Sequence, residues 1–296
     1  MTPALILDAK NTVGESALWD AARGLLRWVD LVGRNAHSMR PDDPDSHRVK
    51  PVGDLATSLG LTRDGRAILG GSRDVRLWDF ANGFEHLATA EPDLPGNRLN
   101  EGVVAPDGSF CVGTMQNNVA PDGSPVDIAD DAGRLYRISP DGAVTRLTED
   151  RFGITNTLAW TPDGRLLTAD TMANTLYSYP IESDRLGPRR TLLEGFPRGL
   201  PDGSALDAEG ALWNCRVVGG ACVIRILPDG TIDRIIDLPC TWPTSCAFGG
   251  EDLRTLFITS ARFTMSPEHL AANPSEGALF AVDPGVAGPP PNLFGA

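Results

Sequence analysis

The sequence predicts an all-β protein: a six-bladed β-propeller with four antiparallel strands per blade, its ring closed by pairing of the N- and C-terminal strands. Three observations carry this. An apolar strand, a turn on Gly or Asp-Gly and a second apolar strand recur six times, as SALWDAARGLLRWVDL (16–31), LGLTRDGRAILGG (59–71), GVVAPDGSFCVGT (102–114), LAWTPDGRLLTAD (158–170), SALDAEGALWNCR (204–216) and CAFGGEDLRTLFITS (246–260). The turn glycines Gly24, Gly65, Gly108, Gly164 and Gly210 follow one another at roughly the 40–50-residue period of a propeller blade, and a sixth turn falls near Leu253. Several units also carry a second hairpin, as in DVRLWDFANGFEHLA (74–88), RLYRISPDGAVTRLT (134–148) and CVIRILPDGTIDRII (222–236).

Taken in order, ALILDA (4–9) is a strand that precedes the first unit, and GALFAVDPG (277–285) offers a third strand to the last blade. The N-terminal strand is expected to complete that blade as its outer strand, giving a single domain over 1–296. Segments 89–101, 116–133 and 261–276 depart from the repeat and are expected to rim the ligand face, because connections vary while the strands stay rigid. SPEHLAANP (266–274) predicts a short helix with Ser266 as N-cap and Pro267 at its first position.

Composition narrows the partners. With 26 basic and 39 acidic residues the chain carries a formal charge of −13, which argues against nucleic acid or an anionic membrane surface. MTPALILDAK lacks a basic leader and a long apolar region, and no window approaches a membrane span. The five cysteines are odd in number and lack finger-like spacing, so they read as buried small hydrophobes in a reducing cytoplasm. Cys215 and Cys222 are candidates for neighbours across a hairpin. A monomer or weak homo-oligomer is expected.

Aligning the repeats by their turns exposes a polar set. Counting back to the start of the inner strand gives Asn100, Asn156 and Asp202, with Glu15 in the first blade, Thr57 in the second and Thr244 in the sixth. Equivalent positions converge at one end of a propeller channel. Oxygen donors there suit Ca, Mg or Mn and tolerate Zn or Fe(II), and the absence of His and Cys argues against structural zinc. The same residues also fit ordinary caps and turns. Asp30, Asp170 and Asp207 are expected to bond neighbouring-blade backbone, with Asp170 close to the polar set. The four histidines share no repeat position, so a His-based triad is poorly supported.

In these residues the chain resembles the SMP-30/gluconolactonase/LRE family, through GESALW (14–19), NRLNEGVVAPDGSFCVGTM (97–115), GITNTLAWTPDGRLLTADT (153–171), LPDGSALDAEGALW (200–213) and PTSCAFGGEDLRTLFITSA (243–261). The resemblance implies one divalent metal ion held by Glu15, Asn156 and Asp202, and a small-molecule sugar lactone bound by Arg98, Asn100 and Glu101. It implies a lactonase that opens glucono-, xylono- or arabinonolactone to the aldonic acid. A carboxylate must take the proton of the attacking water, and Asp202 is read as that general base, with Glu15 and Glu101 as alternatives. Departures are Asn100-Glu101-Gly102 where the family commonly has Asn-Asp-Gly, Thr157 after Asn156 in place of Gly, and Ser16-Ala17 in place of Gly-Pro or Ser-Pro. The alternatives are a non-catalytic metal-binding or interaction propeller, and a hydrolase of aryl lactones or phosphotriesters.

Overall fold

All five turn glycines adopt positive φ, between 62° at Gly24 and 84° at Gly65. This left-handed conformation costs an ordinary residue roughly 1–2 kcal/mol and costs glycine little. The sixth turn instead places Leu253 itself at φ 56°. The computed structural model describes residues 2–81 and 83–295.

The chain divides into two compact units. The first comprises Met1–Gly53 and Gly195–Pro290 and holds three four-stranded sheets. One is Gly14–Asp20, Leu25–Asp30, Asn35–Arg40 and Asp43–Pro51. Another is Leu200–Leu206, Leu212–Val217, Cys222–Ile226 and Ile232–Asp237. In the third, Pro243–Gly249, Thr255–Ser260 and Leu279–Val282 are followed by Ala4–Leu7 at the outer edge. Its core lies between sheets: Trp213 and Cys215 meet Phe248, Ile258 and Phe280, and Trp19 and Trp28 meet Phe257 and Leu279.

The second unit, Asp54–Glu194 with Pro291–Ala296, also holds three blade sheets. Their inner strands are Ser58–Thr62, Asn97–Val104 and Thr155–Trp160. Phe110, Val112 and Ile138 pack on Ile68 and Val75, while Leu135 and Phe152 pack on Leu158, Leu166 and Tyr179. A small extra ribbon, Ile181–Glu182 with Arg185–Leu186, hangs on the last of these sheets' connections.

The predicted closure and strand count require correction. Strand pairing stays inside separate sheets and does not close them into a barrel. Ala4–Leu7 does pair antiparallel with Leu279–Val282, but the chain's final strand goes elsewhere. Leu293–Phe294 runs parallel to Ser58–Thr62, which makes that blade five-stranded and not purely antiparallel. The reason is local: Leu293–Phe294 pairs along the free edge of Ser58–Thr62, and Arg63 N–H just beyond that strand donates to Phe294 O. Gly295 N–H donates to Gly108 O in the next blade's turn, so the last residues satisfy otherwise unpaired backbone groups.

One irregularity recurs near the start of five inner strands. Glu15 pairs with Val29 but Leu18 with Arg27, so the inner strand carries one extra residue: a β-bulge. The equivalent shift falls between Pro201 and Ser204 and between Pro243 and Cys246 in the first unit. In the second unit it falls between Leu99 and Gly102 and between Asn156 and Ala159. Ser58–Thr62 alone pairs without a shift.

Candidate active site

Five of the six polar residues found by counting lie at this bulge. A bulge interrupts strict alternation and re-aims side chains at a strand end, which is why such positions often carry function. Glu15 and Asn156 are the last paired residues before the shift, and Asn100, Asp202 and Thr244 the first residues inside it; Thr57, in the one strand without a bulge, sits just ahead of the regular ladder and donates its N–H to Gly70 O.

In the first unit, Asp202 is 7% exposed and Glu15 half-buried. Asn214 holds the bulge at Asp202 by donating Nδ2 to Asp202 O at 3.1 Å, and Arg216 Nη1 donates to Asn214 Oδ1 at 3.2 Å. Burial pulls the Arg216 guanidinium down to about 10. Gly203 follows because a Cβ there would stand 2.8 Å from Thr244 O and 2.9 Å from Ser245 Cα. Thr244 Oγ1 donates to Gly14 O, and Ala17 N–H donates to Ser245 Oγ at 3.3 Å, so adjacent bulges are tied directly. The Cys215 thiol is pushed up by burial, by its contact with Cys246, and by the charges of Asp202 and Glu15.

In the second unit, Arg98, 6% exposed, spends its donors on its own chain. Nε and Nη2 converge on Asn118 Oδ1 at 3.1 and 2.8 Å, and Nη1 reaches Asn100 Oδ1 at 2.7 Å and Leu99 O at 2.8 Å. Asn100 Nδ2 donates to Thr155 O at 2.8 Å and to Asn156 Oδ1 at 3.0 Å. Asn156 Nδ2 donates to Thr171 Oγ1 at 2.8 Å, which fixes its amide oxygen as the acceptor end. Glu101 is half-buried by exposed area, yet its carboxyl is surrounded closely enough that desolvation pushes it up to about 7, against one bond from Gly102 N–H. A small open cleft beside Arg98 is lined by Ser72, Arg73, Glu91, Asn97 and Thr114.

Sequence reasoning missed Asn118. Its signal was the Asn117-Asn118 doublet directly after the strand Phe110–Gln116, at the start of a segment already expected to rim the ligand face. The strand-end aspartates brace the backbone leading into their own inner strands, not the neighbouring blade. Asp30 accepts from Thr12 and Val13 N–H at 2.8 and 2.9 Å, and Asp170 from Gly153 N–H at 3.1 Å. Asp207 instead holds Trp213 Nε1 and Arg225 Nε. The cysteines are all free, Cys215 and Cys222 included. The short helix, Pro267–Ala272, has the expected Ser266 cap.

The donor chemistry suits a hard divalent ion: Glu15 and Asp202 offer carboxylates in the first unit, and Asn156 in the second offers an amide oxygen held in a fixed orientation. Among the described residues no group of three or more His, Cys, Asp or Glu forms a metal cluster, and this set contains two such residues.

Residues 13–262 match the family model described as the SMP-30/Gluconolactonase/LRE-like region. The chain belongs to this family. It is 34% identical over 289 residues to a 6-deoxy-6-sulfogluconolactonase of Pseudomonas putida, covering 96% of this chain and 95% of that protein. It is 30% identical to an L-arabinolactonase of Azospirillum brasilense, covering 96% and 92%. A solved calcium-binding protein, regucalcin from Agrobacterium tumefaciens, superimposes with a TM-score of 0.90 at 27% identity, covering 100% of this chain and 98% of that one. The full-length match and six successive blade sheets support the six-bladed propeller arrangement of this family member. No helix among its described residues is long and apolar enough to cross a membrane.

Proposed function

We propose that the chain is a metal-dependent hydrolase that opens a sugar lactone to its aldonic acid, with Glu15, Asn156 and Asp202 holding one divalent ion. The observation that supports this most is the recurring β-bulge, at or beside which Glu15, Asn100, Asn156 and Asp202 all lie near the start of an inner strand. Likeness to two sugar lactonases over nearly the whole chain favours the substrate class.

When bound, the ion supplies Lewis-acid polarisation and stabilises the oxyanion of ester hydrolysis. Asp202 accepts the proton of the attacking water. Its bulge is held at the backbone by Asn214, so the carboxylate needs no reorganisation to reach its position. Asn100 Oδ1, which keeps a second lone pair, orients the sugar by accepting from a hydroxyl. Arg98, anchored on Asn118 and Asn100, fixes where that oxygen points and so limits the poses the ring can take. Glu101, with its raised carboxyl, is poised for proton exchange near neutrality.

Likeness to a calcium-binding regucalcin favours a second reading, a metal-binding propeller without this turnover. Lactone opening is to be followed by pH-stat on glucono-, xylono- and arabinonolactone, before and after chelation and with single metals added back. Metal-restored acceleration of at least one lactone supports the hydrolase. Tight metal binding with only the spontaneous rate of ring opening overturns it.

A further inference from the structure

We propose that Gln116 is a positioning residue which, with Asn97, holds segment 117–133 as a preformed wall beside the Arg98–Asn118 pair. Gln116 ends the strand Phe110–Gln116, and its amide bridges to the far side of the segment. Oε1 accepts from Ala129 N–H at 2.9 Å and Asp130 N–H at 3.1 Å, and Nε2 donates to Asp127 O at 3.2 Å. One planar group thus uses its donor and acceptor ends together, which fixes its orientation.

The exit of the segment is tied to the interior. Asn97 Nδ2 donates to Ala132 O at 3.0 Å and to Glu91 Oε2 at 2.8 Å. Glu91 is buried, and its other oxygen accepts from Thr114 Oγ1 at 3.0 Å and Tyr136 OH at 2.9 Å. The start is pinned as well. Asn117 Oδ1 accepts from Val119 N–H, Val119 bridges to Pro125, and Val126 N–H donates to Asn118 O at 2.9 Å.

A connection this long without regular structure would ordinarily be mobile, and ordering it on ligand binding would weaken affinity. Here the ordering is already done, and it sets the place of Asn118, on which two Arg98 donors converge. Gln116 acts through that pair and touches no reacting atom. What the wall faces rests on the lactonase reading; that it is held by Gln116 does not.

The test compares wild type with Gln116→Ala and Gln116→Glu in the full chain. Glutamate keeps both acceptor bonds but sets a carboxylate oxygen in place of the donor facing Asp127 O. Hydrogen exchange at the Ala129 and Asp130 amides should accelerate about 10-fold or more in the alanine variant and stay close to wild type in the glutamate variant. KM for the best lactone should rise about 10-fold in the alanine variant with kcat within about twofold, and recover in part with glutamate. Unchanged exchange in Gln116→Ala, or a fall in kcat at constant KM, overturns the proposal. If the wild type opens no lactone the hydrolase reading falls, and the exchange comparison still decides the wall.

Discussion

Asn100 donates its side-chain amide to Asn156 Oδ1 at 3.0 Å, joining neighbouring inner strands across 56 residues of chain. The same amide reaches Thr155 O, while Asn100 Oδ1 accepts from Arg98. A residue proposed to bind sugar is therefore wired to a residue proposed to bind metal, and every donor and acceptor of the amide has a defined direction. The two functions are separable by mutation because Arg98 touches only the far end of this chain of bonds.

Arg98→Ala removes the guanidinium that orients Asn118 and Asn100 but leaves the Asn156–Thr171 bond in place. KM for the lactone should rise about 10–100-fold, the expected effect of losing a positioned charged donor. Affinity for the divalent ion, measured by calorimetry, should change little. Parallel loss of both would show that Arg98 serves only to hold the fold.

Asp202→Asn keeps the size of the side chain and removes its capacity to take a proton. Lactone hydrolysis should fall about 100-fold or more, while the sheet signature in circular dichroism is retained. Turnover at the wild-type rate would reject the assigned role.

The raised carboxyl of Glu101 makes stability depend on pH. Below its ordinary value of 4.5 the group is protonated in folded and unfolded chains alike, and its contribution is fully present. As pH climbs from there through about 7 the unfolded chain ionises first, so stability declines across that window. Urea midpoints measured from pH 4 upward should show this decline, and Glu101→Gln should flatten it. The same titration should give lactone opening an inflection near pH 7 that the glutamine variant lacks. An unchanged profile in Glu101→Gln would assign the titration to another group.

Asp30→Ala strips the acceptor from the Thr12, Val13 and Gly33 N–H groups at the start of the first blade. Loss of a buried charged acceptor should destabilise by about 2–3 kcal/mol. Asp30→Asn, which retains one acceptor oxygen, should lose less. Denaturant midpoints for the pair decide it; equal losses would point to the charge and not to the hydrogen bonds.

The sequence by itself determined the repeat. Turn glycines that need positive φ and alternating apolar residues are local signals, so Gly24, Gly65, Gly108, Gly164 and Gly210 mark the blades without tertiary information. Counting from those turns also reached Glu15, Asn156 and Asp202, because each lies a near-constant distance along one strand from its glycine. Tertiary structure decided what no single strand encodes. The bulge exists only relative to a partner strand's register, as Glu15 opposite Val29 and Leu18 opposite Arg27 show. Asn118 meets Arg98 only because the segment after Gln116 folds back, and Leu293–Phe294 finds Ser58–Thr62 because an inner strand left backbone groups to be paired. Those contacts join residues distant in the chain, and their formation depends on burial and hydrogen-bond completion in the assembled sheets.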